Sequence, residues 1–402
     1  MSRLRSIGPR AILLVAVVVT LAGCVGPALP TDQLLVTNDP KLAGTVVRDK
    51  VLWQYRLGLA ALRAGAYDEA KERFDDAILT MGGILANRAD AQRARSLWSG
   101  EERKTFIGEP YERVMAYYYR ALLYWRDGEP DNARACYRSG QLIDSVAEEG
   151  DYRADYILLD YLDGLASAKL AADGSDALQR AEKNAKHALP AYDAQANVLV
   201  FAEWGQGPLK YADGAYGEKL RFSERESAAR SARLTVAGRT VELAPWDDLY
   251  FQATTRGGRV MDYILGNKAV FKGATDTVGD LSLIGAAIAH ERAERKRDEG
   301  ESGRGSDQTA VALAAIGLLS KALSASTVAH ADLRAWDNLP RYLGFTALQL
   351  PPGDYPAQIN YLDVSGRVLE AHTREFTLHV PADRDRDTVL FLSELAKNPA
   401  DR

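Results

Sequence analysis

The stretch from Leu52 to Leu79, LWQYRLGLAALRAGAYDEAKERFDDAIL, constrains the fold more than any other part of the chain. Its apolar positions recur at helical spacing on both sides of Ala64-Gly65-Ala66, which predicts two antiparallel helices joined by a tight turn. Gly58 and Ala70 are small enough to let the helices approach, Gly65 turns the chain, and Tyr67 and Phe74 fill the space between. A second copy runs from Tyr111 to Asp144. There Ala121, Tyr124, Gly128, Ala133, Tyr137 and Gly140 take equivalent places, with Pro130 where Tyr67 stood. A third spans Tyr156 to Pro190, with Ala181, Ala185 and Ala188 following a turn at Asp173-Gly174. Met81 to Pro110 is inserted between the first two, so the copies are not in strict tandem.

The order Leu57-Gly58, Gly65, Tyr67, Ala70, Phe74, Ala77 resembles a tetratricopeptide repeat (TPR), with Gln54 in the family's early Trp position and Gly82 in its closing Pro position. Stacked hairpins of this kind make a concave surface, and the resemblance implies a peptide or protein held in it. On the helix after Pro110, Tyr117 and Tyr124 share one face while Tyr118 and Trp125 share the next. These four aromatics are either an interaction surface or the packing between successive hairpins.

The N-terminus reads in three parts. Arg3, Arg5 and Arg10 are followed by the apolar run Ala11–Thr20 and then by Leu21-Ala22-Gly23-Cys24. The layout is that of a secretory signal peptide, and the run is well short of the roughly 20 residues a spanning helix needs. Leu-Ala-Gly-Cys resembles the lipobox of bacterial lipoproteins, which implies lipid on the Cys24 sulfur, cleavage before it and an acylated new N-terminus. Several acyl chains on one residue anchor firmly where one alone holds weakly. Val25 follows instead of an acidic residue, and by the same resemblance this points to an outer membrane. Pro27, Pro30 and Pro40 mark a tether over residues 24–45.

The formal net charge is −5, and loss of three leader arginines makes the mature chain more acidic. Nucleic acid and anionic membrane surfaces are poor partners for such a balance. With Cys24 lipidated, Cys136 has no second cysteine, and beside Tyr137 on a helical stretch it reads as a small buried hydrophobe.

After Pro190 the pattern changes. Asn197–Glu203 (NVLVFAE) reads as a strand, Gly205-Gln206-Gly207-Pro208 as a loop with aromatic packing, and Ala232–Val236 with Arg239–Leu243 as a hairpin about Ala237-Gly238. Leu249–Thr254 is a further strand candidate, and Gly266-Asn267 a hairpin turn. Arg256-Gly257-Gly258-Arg259 is a turn that could hold an anion against backbone amides. Thr277–Arg297 and the nearly apolar Ala310–Ala325 predict a buried helical hairpin, or for the second helix a contact with lipid. From Gly344 onward come Gly344–Leu350, Ala357–Asp363, Arg367–Ala371, Arg374–Val380 and Thr388–Leu395. These short strand-like runs between turn signals suggest a small β-sandwich.

The expected architecture is α+β. It comprises a signal peptide (1–23), the tether (24–45), a TPR-like helical domain (46–195), a mixed segment of β-hairpins and a helical hairpin (196–330) and a small β-sandwich-like domain (331–402). The lipobox, GEPYERVMAYYYRALLY (108–124), FAEWGQGPLKY (201–211), TRGGRVMDYILGNKAVFKGATDTVGD (255–280) and WDNLPRY with LPPGDY (336–355) together resemble uncharacterised bacterial TPR-like lipoproteins. That resemblance covers most of the mature chain and implies no particular activity.

Catalytic motifs are missing: the five histidines (187, 290, 330, 372, 379) are scattered, no Gly-x-Ser-x-Gly occurs, and His290-Glu291 lacks a second histidine four residues on. No metal or cofactor is implied. Two readings follow. One is a non-enzymatic adaptor that recruits a protein partner in the envelope through its TPR-like surface. The other is a protein that binds or cleaves envelope glycan such as peptidoglycan, using Trp204, Tyr211 and Trp246 with Glu203 and Asp247.

Overall fold

A computed structural model describes residues 40–86, 105–145, 154–214, 217, 219–256, 331–383 and 385–396. Helices come first, in three consecutive pairs. These are α1 (Pro40–Arg63) with α2 (Tyr67–Ala86), α3 (Pro110–Arg126) with α4 (Pro130–Asp144), and α5 (Ile157–Lys169) with α6 (Ser175–Asn184). Gly58 packs against Phe74, where an added Cβ would come within 3.1 Å of the ring. Gly65 and Gly128 turn the first two pairs with φ of +76° and +84°, values that favour glycine. In the third pair Gly174 lies on the backbone of Gly164, leaving no room for a side chain.

The strands follow as β1 (Val198–Trp204), β2 (Leu209–Asp213), β3 (Lys219–Ser223), β4 (Ser231–Val236), β5 (Arg239–Leu243) and the short β6 (Asp247–Asp248). Next are α7 (Leu249–Arg256), β7 (Tyr342–Leu348), β8 (Gly353–Leu362), a 3-10 turn (Glu370–His372), β9 (Arg374–Val380) and β10 (Thr388–Ser393). One sheet has the order β10-β1-β7-β6, a second β5-β4-β8-β9, and β2-β3 pair alone. β1 is parallel to β10 and antiparallel to β7. The β4–β5 hairpin turns at Ala237-Gly238, both at positive φ, as expected of a two-residue hairpin loop.

Strand periodicity explains how the layers stack. In β1, Leu199 and Phe201 join the apolar cluster of the helices, as do Leu343 and Phe345 of β7 and Val389 and Phe391 of β10. The alternate residues Val198, Val200, Ala202, Trp204, Leu390 and Leu392 join a second cluster with Leu234, Ile359, Tyr361 and Leu378 of the other sheet. Every residue of β1 is buried, which is why its sequence is a continuous apolar run without polar alternation. The order of layers is therefore helices, inner sheet, outer sheet.

Several expectations are corrected. The strands after residue 330 pair with strands before it: β7 and β10 flank β1, and β8 lies beside β4. The expected boundary at 330/331 thus runs through both sheets, and the chain from Arg48 onward clusters as one unit. Leu249–Thr254 is helical (α7), because Asp248 accepts the N–H of Tyr250 and starts a helix there. The run Arg367–Ala371 holds a 3-10 turn, while Gly205-Gln206-Gly207-Pro208 is a loop as expected and is followed by the β2–β3 hairpin. The Gly266-Asn267 turn and both helices of the expected helical hairpin lie outside the described residues. Among those described, no helix is long and apolar enough to cross a membrane.

Candidate functional site

The inner face of the helical layer is filled by the chain itself. Residues 331–341 cross α1 and α3 with a turn at Asp337-Asn338, placing Trp336 in the core, stacked on Tyr55 at 4.5 Å and close to Phe74 and Tyr119. Arg56 Nη2 donates to the carbonyl of Ala335 and Arg63 Nη1 to that of Asn338, both at 2.8 Å, while Asn338 donates back to Arg56 O. The indole-bearing residue is gripped through its own backbone as well: Trp336 N–H donates to Glu112 Oε1 at 2.7 Å.

Glu112 is the hub of this junction and is fully buried. Its Oε2 accepts from Lys210 Nζ at 2.8 Å and from the Glu109 backbone N–H at 2.7 Å, which opens α3. Lys210, buried too, gives another hydrogen to Arg334 O. Gly207 meets the same segment, donating to Leu339 O, and a Cβ there would press on the carbonyls of Leu339 and Pro340 at 2.9 Å. Gly207-Pro208 and Trp336–Pro340 are thus two halves of one backbone contact. Sequence reading singled out both runs but had no signal that they touch.

The second hub is Glu203. Arg63 Nε, Tyr119 Oη and Ser393 Oγ each donate to its carboxylate at 2.6 Å, joining α1, α3 and β10 to β1. Asp247 is the third. It accepts the backbone N–H groups of Ile157 and Leu158 at 3.0 and 2.9 Å, capping the N-terminus of α5, where a carboxylate complements the helix dipole. Glu203 and Asp247 hold different helices and share no partner, so they form no carboxylate pair. Trp204 is fully buried against Gly344, Trp246 packs edge-on to Tyr161 at 4.8 Å, and of this group Tyr211 alone is well exposed. The proposed glycan residues therefore do not converge on an open cleft.

The four aromatics of α3 divide as helical geometry requires. Tyr118 and Trp125 are core residues: Tyr118 contacts Tyr119 and Phe201, and Trp125 packs on Tyr137 and donates Nε1–H to Asp387. Tyr117 and Tyr124 are half-buried, the latter under the Arg120 guanidinium at 3.5 Å. Packing accounts for Tyr118 and Trp125, whose second surface is the inner sheet and the loop at Asp387. Arg256 ends α7, whereas Gly257, Gly258, Arg259 and Cys24 lie outside the described residues. Cys136 is partly buried, and burial pushes its thiol up to about 11, consistent with an inert packing residue. Among the described residues no group of three or more His, Cys, Asp or Glu could hold a metal.

Burial also raises two aspartates near the start of α5. Asp247 is pushed up to about 7 by desolvation, opposed by its two backbone donors and reinforced by Asp155 and Asp160. Asp160 rises to about 6 for the same first reason, against the pull of Arg180. Both folded values exceed that of an unfolded aspartate, so the folded chain binds protons the unfolded chain has released. Their contribution is fully present below about pH 4 and declines as pH rises to about 7, by up to roughly 1.4 kcal/mol per pH unit per group. Urea midpoints measured from pH 5 to 8 should fall on this account, and Asp247→Asn should flatten the slope. A rising midpoint over that range would assign the ionised forms to the stable fold.

No family model, curated protein or solved structure matches the chain.

Proposed function

We propose that this chain is a lipid-anchored envelope protein that works as a non-enzymatic adaptor for a protein partner. The anchor is Cys24 at the end of its lipobox, and Val25 favours an outer membrane. We read the helical pairs as TPR-like hairpins. The close approaches of Gly58 to Phe74 within the first pair and of Gly140 to Leu159 between the second and third pairs support this, since small residues at those places let neighbouring helices nest. The two stacked sheets are read as a sandwich to which both the middle and the C-terminal segments contribute strands.

The observation that carries the adaptor reading is where the buried charges are spent. Glu112, Glu203 and Asp247 bond to the protein's own backbone and side chains, which suits a rigid scaffold and leaves them poorly placed for chemistry. Recognition then falls to the surface. The solvent face of β5-β4-β8-β9 has a shallow depression of about 560 Å³ bounded by Thr235, Pro356, Gln358, Glu375 and Thr377. We place the partner there, in preference to the self-filled inner face of the helices.

A photo-crosslinking residue at Gln358 or Thr377, introduced into the full chain in cells, should capture a protein that the same residue at Asp131 does not. Capture from Asp131 alone, or attachment of glycan strands in place of protein, would overturn the reading.

A further inference from the structure

A strand at the edge of a sheet carries main-chain N–H and C=O groups with no ladder to join, and proteins keep neighbours off such edges with charges, prolines or short length. Among the described strands the edges are β6 and β10 of the inner sheet, β5 and β9 of the outer sheet, and both members of the β2–β3 pair. All but one carry such a guard. β6 is a pair of aspartates, β5 has Arg239 and Glu242, and β9 has Arg374, Glu375 and His379. β2 has Lys210 and Asp213, and β3 has Lys219 and Arg221. β10 reads Thr-Val-Leu-Phe-Leu-Ser, without a charge or a proline.

The direction of its unpaired groups follows from the ladder. Thr388 N–H donates to Asn197 O at 2.8 Å and Glu394 N–H to Glu203 O at 3.0 Å, with Thr388, Leu390 and Leu392 beside Val198, Val200 and Ala202. A parallel ladder of this register spends the main chain of Thr388, Leu390 and Leu392 on β1 and turns that of Val389, Phe391 and Ser393 to the open side. The Ser393 carbonyl accepts Ala396 N–H. The N–H and C=O of Val389 and Phe391 bond to nothing among the described residues. Side chains point to the same vacancy. Val389 and Phe391 pack on the helical cluster, Phe391 edge-on to Tyr119 at 6.2 Å, while Leu390 and Leu392 join the cluster shared with the outer sheet. β10 is thus apolar on both faces, as β1 is, a pattern that belongs to strands with a neighbour on each side. Residues 388–391 are nevertheless only half-buried.

We infer that a second copy of this chain pairs with β10, antiparallel, about a two-fold axis at Leu390. The occupant must bring a strand that is apolar on both faces and has free main-chain groups at matching positions, and β10 itself does so. The axis sets Val389 beside Phe391 of the second copy and Phe391 beside its Val389. Each such pair exchanges N–H to O=C bonds, so the free groups are spent on one another. Leu390 then meets Leu390 across a site without hydrogen bonds, and the inner sheet runs unbroken through both copies. This pairing does not depend on the adaptor reading, which places its partner on the solvent face of the outer sheet.

The test uses the full chain in bacterial cells, with Cys136→Ser and one added cysteine. At an antiparallel site without hydrogen bonds the Cα atoms are about 4.5 Å apart, within the roughly 4.4–6.8 Å that a disulfide spans. Leu390→Cys should therefore give a disulfide-linked homodimer under mild oxidation. Thr388→Cys should not, because the two copies of that position lie about 13 Å apart along the strands. A several-fold excess of homodimer from Leu390→Cys supports the inference. Equal linkage from the two variants, no linkage from either, or a disulfide from Leu390→Cys to a different protein overturns it. Val389→Pro removes the outward N–H and leaves the β1 ladder intact, since proline is tolerated on an open edge. In sedimentation of the purified full chain it should weaken dimerisation roughly ten-fold or more, with cooperative melting retained. A monomeric parent chain, or a folded Val389→Pro variant that dimerises as the parent does, also overturns the inference. If that variant does not fold, the cysteine pair decides.

Discussion

A chain ended after Arg256 is expected not to fold. The truncation removes β7, β8, β9, β10 and the Trp336 segment, and the physical consequence can be followed layer by layer. β1, buried along its whole length, loses the strands on both its edges. The faces of Tyr55, Tyr119 and Tyr161 that meet Trp336, Phe391 and Phe345 are opened to water. Arg63 keeps Glu203 but loses Asn338 O, and Glu112 loses Trp336 N–H. Removing a single large aromatic from a core costs about 3–5 kcal/mol, and whole domains are stable by roughly 5–15 kcal/mol. Loss of several such side chains together exceeds that margin. Circular dichroism and size exclusion of the fragment should show an aggregated or unfolded chain. A full chain cut at a protease site placed between Arg256 and Ala331 should keep its two pieces together, because the pairings of β1 with β7 and β10 need no covalent link. A monomeric, cooperatively melting fragment would instead make the helical half an autonomous repeat domain, as tandem repeats with nearest-neighbour contacts allow.

That outcome bears on how much of the fold could be read beforehand. The helices were legible because their signals are local: Gly58 with Phe74, Gly65 at the turn and Pro110 and Pro130 at helix starts act within a few tens of residues. The β4–β5 hairpin was legible for the same reason, through Ala237-Gly238. What could not be read is long-range pairing. Nothing in NVLVFAE says that its neighbours are Tyr342–Leu348 and Thr388–Ser393, so the sheets were assigned to separate domains although they interleave. Likewise Tyr118 and Trp125 stood out as aromatics beyond what one helix face buries. Their second surface proved to be the inner sheet, with the loop at Asp387, and not a ligand groove. Glu203 and Asp247 were noticed as acids close to aromatics. Their roles as a three-donor clasp and a helix cap come from residues 84 to 190 positions away for the first and about 90 for the second.

Glu112→Ala is the single substitution expected to cost most. Among the described residues its carboxylate is the acid bonded to Lys210 Nζ, and Lys210 is itself nearly inaccessible, at 2% side-chain exposure. Removing one partner of a buried pair strands the other charge, which typically costs about 3–5 kcal/mol, and here two backbone N–H groups, of Glu109 and Trp336, lose an acceptor as well. Lys210→Met alone leaves Glu112 with its two backbone donors and takes away the cation and its hydrogen bond to Arg334 O, so it should be milder. The discriminating variant is the double one. If the loss in Glu112→Ala comes chiefly from stranding Lys210, then Glu112→Ala with Lys210→Met should recover part of it, a coupling of roughly 1–3 kcal/mol by urea unfolding. Additive losses would mean that the carboxylate acts through the Trp336 backbone instead, and that the ion pair is incidental to holding residues 331–341 against the helices.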